Sequence, residues 1–243
     1  VAILMATYEG ERFLAEQVKS IFAQTCGSWH LWVSDDSISL ATSAELDRLS
    51  EGVRNRIFYS QGPRRGVVAN FLDLACNPNI HARFYAFADQ DDIWDSDKLE
   101  RALAWLISVP SAVPAMYCTR TRLIDEVGRE LGKSPLFSRR PTFRNALVQS
   151  LAGGNTMVFN HAARQLLVAA GKDVDVPVHD WWLYLLVTGC GGVVQYDPQP
   201  SLGYRQHTAN LIGGNTGWRS RLRRLFNAAS GAHESWFSRN IYA

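Results

Sequence analysis

The run Val1-Ala2-Ile3-Leu4-Met5-Ala6, closed by Thr7-Tyr8-Glu9-Gly10, decides how the rest of the chain is read. Its apolar residues follow one another without alternation, so neither face of the segment is built to meet water. A strand buried on both faces belongs inside a parallel sheet covered by helices. The next segment supplies such a cover: Phe13, Leu14, Val18, Ile21 and Phe22 recur at helical spacing within 11–24. The pattern then repeats, with strands expected at 29–34, 56–60 and 84–88 and helices at 42–51, 67–76 and around Leu99, Leu103, Leu106 and Ile107. Strands alternating with helices predict an α/β fold with a Rossmann-like, mostly parallel central sheet and helices on both faces.

The second half is less regular. A strand is expected at 115–123, a polar Pro-containing loop at 134–141, a helix at 143–151, and a strand at 156–159 after Gly153-Gly154-Asn155. Helices at 162–170 and 180–187 and short strands at 193–196 and 202–205 complete the pattern. No repeat or low-complexity segment divides the chain, which reads as one domain over 1–212 with a short C-terminal helical extension at 213–243.

With 243 residues, 47% of them hydrophobic, the chain can bury one sizeable core. A net charge of +2 sets up no field that selects nucleic acid, and none is expected as a partner. Cys26, Cys76, Cys118 and Cys190 are far apart and form no CxxC pair, so neither a zinc site nor a disulfide framework is expected. They read as reduced, mostly buried thiols of a cytoplasmic protein. No leader pattern is present, and a start without Met suggests trimming. The longest apolar stretch, 181–194, is broken by Thr188, Gly189, Gly191 and Gly192 and falls short of the ~20 residues a bilayer crossing needs.

Thr7-Tyr8, Asp35-Asp36 and Asp89-Gln90-Asp91-Asp92 all fall at the carboxyl ends of expected strands. Open parallel sheets bind ligands at that edge. In the last stretch Asp89, Asp91 and Asp92 stand close together with no Lys or Arg beside them in sequence, and like charges this close repel. A hard divalent cation resolves the repulsion, because Mg²⁺ binds through one or two carboxylates together with substrate phosphates. The competing reading is a solvated acidic loop, with Asp95 or Asp97 capping the helix that starts near Lys98.

The segment Ala88-Asp89-Gln90-Asp91-Asp92-Ile93-Trp94 resembles the DxD region of family 2 glycosyltransferases of the GT-A fold, and most of all their bacterial rhamnosyltransferase-like branch. Other segments match that branch in order. Ala6-Thr7-Tyr8-Glu9-Gly10 resembles its A-T-Y-N-G, with Glu9 for Asn, and Gln24-Thr25 its Q-T. Ser34-Asp35-Asp36 resembles its S-D-D, although Ser37-Ile38 follow where Gly-Ser is expected. Gly66 to Phe71 fits G-x-x-x-N-F, His179-Asp180-Trp181-Trp182 fits H-D-W-W, and Tyr204-Arg205-Gln206-His207 fits Y-R-Q-H.

The resemblance implies a nucleotide-diphosphate-sugar donor, dTDP-rhamnose or a UDP-hexose, and a glycan or lipid-linked acceptor. It implies a nucleotide-binding half at about 1–110 and an acceptor-binding half at about 111–212. Thr7, Tyr8, Glu9, Asp35 and Asp36 would line the nucleoside pocket, with Asp36 accepting the N3–H of uracil or thymine. Arg65 would meet a phosphate or the base edge, or else be an ordinary exposed turn residue. Asn70 would face the nucleoside or secure a helix end. Asp89 and Gln90 would sit by the ribose. Asp91, with Asp89 beside it, would hold Mg²⁺ or Mn²⁺, and His207 would be the distal ligand. Asp180 takes the family's catalytic base position; read from spacing alone, it is also an attractive N-cap. Gly154, Asn155, His179, Trp181 and Trp182 would approach the sugar and acceptor, through close backbone at the glycine and a stacked indole. The family works by inversion.

Trp218-Arg219-Ser220-Arg221-Leu222-Arg223-Arg224-Leu225-Phe226 reads as a basic amphipathic helix, suited either to the anionic inner face of the plasma membrane or to packing on the domain. Rival classes are a non-catalytic sugar-nucleotide-binding module and a phosphohydrolase. The latter wants a nucleophilic Asp after the first strand, where Thr7-Tyr8 stand. A dinucleotide oxidoreductase is disfavoured because no GxGxxG follows that strand.

Overall fold

The computed structural model describes residues 1–50 and 54–207. The order is β1 (Ala2–Thr7), α1 (Glu11–Phe22), β2 (His30–Asp35), α2 (Ala41–Leu49), β3 (Ile57–Gln61), α3 (Val67–Cys76), β4 (Phe84–Ala88), β5 (Ile93–Trp94) and α4 (Lys98–Leu106). It continues with β6 (Ala115–Thr119), β7 (Arg122–Ile124), β8 (Glu130–Lys133), α5 (Phe143–Ala146), β9 (Val158–Asn160), α6 (His161–Ala170), α7 (His179–Gly189), β10 (Val193–Asp197) and β11 (Leu202–Arg205). The basic stretch 218–226 and the whole extension lie outside the described residues.

A seven-stranded sheet runs β10-β6-β9-β4-β1-β2-β3. Its pairings are parallel except at β9, which runs antiparallel to β4 and β6. As the unbroken apolar run requires, every residue of β1 is buried. Successive side chains enter opposite cores: Leu4 joins Phe71, Phe87 and Leu183 on one face, while Ile3 and Met5 join Leu14, Val33 and Leu99 on the other. The parallel register sets Thr7 beside Asp35 and Asp35 beside Gln61, so the polar strand ends share one edge.

A second, four-stranded sheet, β5-β11-β7-β8, covers that edge near the acidic turn. Its presence divides the strand expected at 115–123. β6 ends at Thr119, Thr121 is pinned by both backbone and side chain of Ser134, and β7 pairs with β11 and β8 instead of continuing the large sheet. The helix expected at 143–151 stops after one turn. Thr142 caps its start by accepting the Asn145 N–H, but the Ala146 carbonyl takes the indole N–H of Trp181 at 2.6 Å and is occupied by that donor. The strand expected from 156 begins at Val158, because Gly154–Thr156 form a 3₁₀ turn. The thiols are free, as expected, but only Cys118 is buried and Cys190 is exposed.

Candidate active site

Three strand ends and one helix start meet at the sheet's carboxyl edge. At the end of β2, Asp35 has no exposed surface. Its carboxylate accepts the hydroxyls of Thr7 (2.9 Å), Ser37 (2.7 Å) and Tyr59 (3.2 Å). It therefore ties β1, β2 and β3 together at the strand ends. Asp36 is 8% exposed and accepts the backbone N–H groups of Arg64 (2.8 Å) and Gly66 (3.2 Å), fixing the loop after β3. Asn70 is buried on α3 and donates to the Ser34 carbonyl at 2.9 Å, while its own carbonyl oxygen has no partner. A Cβ on Gly62 would stand 2.3 Å from an Asp36 oxygen, so the loop fits only with glycine there.

Tyr8 is 60% exposed, and its backbone exchanges hydrogen bonds with the Gln90 amide at 2.9 and 3.0 Å. Gln90 thereby joins the ends of β1 and β4. Glu9 is exposed at φ +46°, a left-handed conformation that Asn adopts more readily than Glu. Arg65 lies in a surface ion pair with Asp173 at 2.7 Å, the ordinary turn position weighed for it.

At the end of β4 the acidic turn divides its work. Asp92 is fully buried and accepts the Asn155 amide at 2.6 Å and the Arg205 N–H at 3.4 Å. Asn155, expected to face sugar, instead spends its amide on Asp92. Asp91 stands 2.6 Å from His207 Nε2, so the structure brings together the pair that the sequence placed 116 residues apart. Arg205, with no exposed surface, holds the Asp91 carbonyl (2.9 Å), the Glu126 carbonyl (2.6 Å) and the Glu16 carboxylate (2.5 Å). Burial, then the charges of Asp91 and Asp180, push the Asp89 carboxyl up to about 8, partly offset by Lys98. Burial, then the charges of Asp89 and Asp91, also raise Asp92 well above the usual carboxylate range.

Lys98 is the residue the sequence reading passed over. It is 1% exposed, donates to the Asn155 carbonyl at 2.7 Å and lies over the Trp94 ring. Burial lowers its pKa to about 7 against the pull of Asp92 and Asp95. Spacing carried the signal, since Lys98 shares its buried helix face with Ala102 and Leu106. Asp97 occupies the N-cap of α4 without a side-chain bond, and Asp95 pairs with Arg122 instead.

Asp180 faces this turn from α7. It is not the N-cap; Val178 is. The Asp180 oxygens accept Gly154 N–H (2.8 Å) and Trp181 N–H (2.5 Å), which fixes the carboxylate's direction. Burial raises it to about 6 against those hydrogen bonds. A Cβ on Gly154 would lie 2.7 Å from His179 Nε2, so the backbone donor reaches Asp180 only through glycine. His179 is stacked on Phe71 at 4.0 Å and edge-on to Phe87, and burial holds it down at about 3, neutral at any physiological pH. Trp181 and Trp182 are 5% and 7% exposed within the core. Trp181 gives its indole N–H to the Ala146 carbonyl, and Trp182 lines an apolar groove beneath Phe143.

The donors fit a divalent cation: a carboxylate with an imidazole against it, a second carboxyl whose pKa is raised first by burial and then by its acidic neighbours, and buried negative charge that Lys98 only partly offsets. Among the described residues no three His, Cys, Asp or Glu side chains form a preformed cage. Two protein ligands completed by a diphosphate is the pattern Mg²⁺ favours.

The profile of the family described as "Glycosyl transferase family 2" matches residues 2–167. The chain belongs to that family. Among its relatives is the dTDP-rhamnosyl transferase RfbG of Shigella flexneri, 28% identical over 241 residues that cover 91% of this chain and 78% of that protein. Among solved structures, S. aureus TarS 1-349 in complex with UDP-GlcNAc superposes with a TM-score of 0.62 at 16% identity, covering 89% of this chain and 61% of TarS. The mannosyltransferase PcManGT from Pyrobaculum calidifontis, in complex with GDP-Man and Mn²⁺, gives 0.62 at 18% identity over 99% of this chain and 68% of its own. This family 2 glycosyltransferase thus has the GT-A fold that its resemblance implied. The chain spans less than two thirds of the TarS chain. No described helix is long and apolar enough to cross a membrane.

Proposed function

We propose that this glycosyltransferase moves a sugar, rhamnose before others, from a nucleotide-diphosphate donor to a hydroxyl of a growing cell-surface polysaccharide or lipid-linked glycan, with inversion. The observation that carries the reading is Asp180: a carboxylate raised to about 6, aimed by two backbone N–H groups and close enough to Asp89 to raise its pKa. A base of that strength is ionised at neutral pH yet holds a proton well enough to take one from an alcohol in the transition state.

On this reading Thr7, Asp36 and the Asp36-fixed loop orient the nucleoside, Gln90 holds the strand ends on either side of it, and residues 1–110 form the donor half. Asp91 and His207, with Asp89, would hold Mg²⁺ or Mn²⁺, which when bound supplies positive charge beside the diphosphate. The acceptor oxygen attacks the anomeric carbon opposite the diphosphate and gives its proton to Asp180. The old C–O bond breaks with its electron pair on the diphosphate. A single base and direct displacement invert the centre.

Rhamnose is favoured by likeness to RfbG across most of the chain. A UDP-hexose is the second reading, favoured by the UDP-sugar bound in TarS, whose fold this chain shares. Nucleoside-diphosphate release from dTDP-rhamnose, UDP-glucose and UDP-galactose, with Mn²⁺ or after chelation, separates the two. Asp180→Asn is expected to lower turnover by about 10²–10⁴-fold with donor affinity unchanged. Undiminished turnover would sink the base assignment, and donor binding without turnover in the unaltered chain would leave a binding module.

A further inference from the structure

Away from the strand ends, the segment 134–150 presents a surface of one character. It contains Arg139, Arg140 and Arg144 and no aspartate or glutamate. All three arginines are exposed and make no hydrogen bond or ion pair with the described residues. Elsewhere Arg12, Arg48, Arg65, Arg101 and Arg122 each find a carboxylate. Among and on either side of these arginines stand Leu136, Phe143 and Val148, exposed by 55%, 45% and 57%. Beneath Phe143 an apolar groove of about 300 Å³, floored by Trp182, Leu185 and Leu186, opens to the same side.

The segment is anchored rather than loose. Phe137 turns inward, edge-on to Tyr196 at 5.8 Å, and the Tyr184 hydroxyl accepts the Thr142 N–H at 3.1 Å. The Ala146 carbonyl is tied to Trp181, the neighbour of Asp180. Whatever the surface rests on is therefore held at a fixed relation to the base. Guanidinium groups unpaired among the described residues, set beside exposed apolar side chains, match one partner by charge and by polarity: a bilayer with anionic headgroups. We propose that 134–150 docks this enzyme on an anionic lipid surface, with Leu136, Phe143 and Val148 at the headgroup boundary and the three arginines on lipid phosphates. The proposal concerns where the enzyme rests and not what it transfers, so its failure would leave the transfer reading standing.

The test is co-sedimentation of the full chain with vesicles of phosphatidylcholine alone and of phosphatidylcholine mixed with phosphatidylglycerol. It is run in a background with Arg219, Arg221, Arg223 and Arg224 replaced by serine, so that only this patch is read. Partitioning to the mixed vesicles is expected, weakening as salt rises. The triple Arg139→Glu, Arg140→Glu, Arg144→Glu variant is expected to lose at least about tenfold in partition coefficient, and Phe143→Ser a smaller factor. Unchanged thermal unfolding and nucleotide binding confirm that each variant folds. If the triple variant does not fold, Leu136→Ser with Phe143→Ser is read in its place. Equal binding to both vesicle types, or variants that partition like their parent, would overturn the proposal.

Discussion

Asp180 makes opposite demands on stability and on rate. The carboxyl titrates near 3.8 when unconstrained and at about 6 here. Between those values the folded chain holds the extra proton, so its contribution to stability falls as pH rises through that window. Asp180→Asn, which also gives up one acceptor, is expected to be inactive yet about 1 kcal/mol more stable at pH 7, read by denaturant unfolding. If Asp180 is the base proposed above, kcat/KM of the unaltered enzyme declines as pH falls through about 6, because a base must be ionised. Asp89 is shifted the same way and further. Raised to about 8, it carries a proton at pH 7 that cation binding would displace. Calorimetry of Mn²⁺ with a nucleoside diphosphate, in buffers of different ionisation enthalpy, should show proton release that fades above pH 8. Glu9 sits at φ +46°, and Glu9→Gly is expected to gain about 1 kcal/mol, measured by thermal unfolding. Of these residues, the sequence reading singled out Asp180, Asp89 and His207 through motifs. It missed that Asp35 and Asn155 face inward, because nothing local records which carboxylate a distant hydroxyl or amide will claim.

Among the elements, those read from periodicity alone survived: α3, β4 and β11 fall at the expected residues, and β1 and α1 within a residue or two. Each buries side chains in a pattern its own sequence displays. The failures are elements defined by partners. β5 and β8 are short strands visible only once β11 and β7 lie beside them, and the shortened α5 depends on an indole from α7. Two tight contacts at element ends give sharp tests. Gly154→Ala would drive a methyl into His179 and Asp180, and it should cut turnover about as severely as loss of the base while leaving donor affinity near normal in a nucleotide titration. Gly62→Ala would push against Asp36, and should instead weaken donor binding while sparing the chemical step seen in single-turnover assays.

At the scale of the whole molecule, a doubly covered sheet gathers its polar groups at one edge, and that arrangement was legible because the strands ending in Thr7, Asp35 and Ala88 are followed by polar residues. The small sheet was not legible, yet it completes the site. Its energetic signature should be a melting temperature that rises on adding Mn²⁺ with UDP or dTDP, a gain that chelation removes; at a hundredfold excess over the dissociation constant the stabilisation would be about 2.7 kcal/mol. Closure by β11 has a consequence for biosynthesis. Arg205 reaches back to a partner 189 positions earlier, and His207 to one 116 positions earlier. On the ribosome, the acidic turn therefore emerges long before the strand that braces it, and a nascent chain halted just short of β11 carries every recognisable motif but the last while its acidic turn still lacks Arg205 and His207.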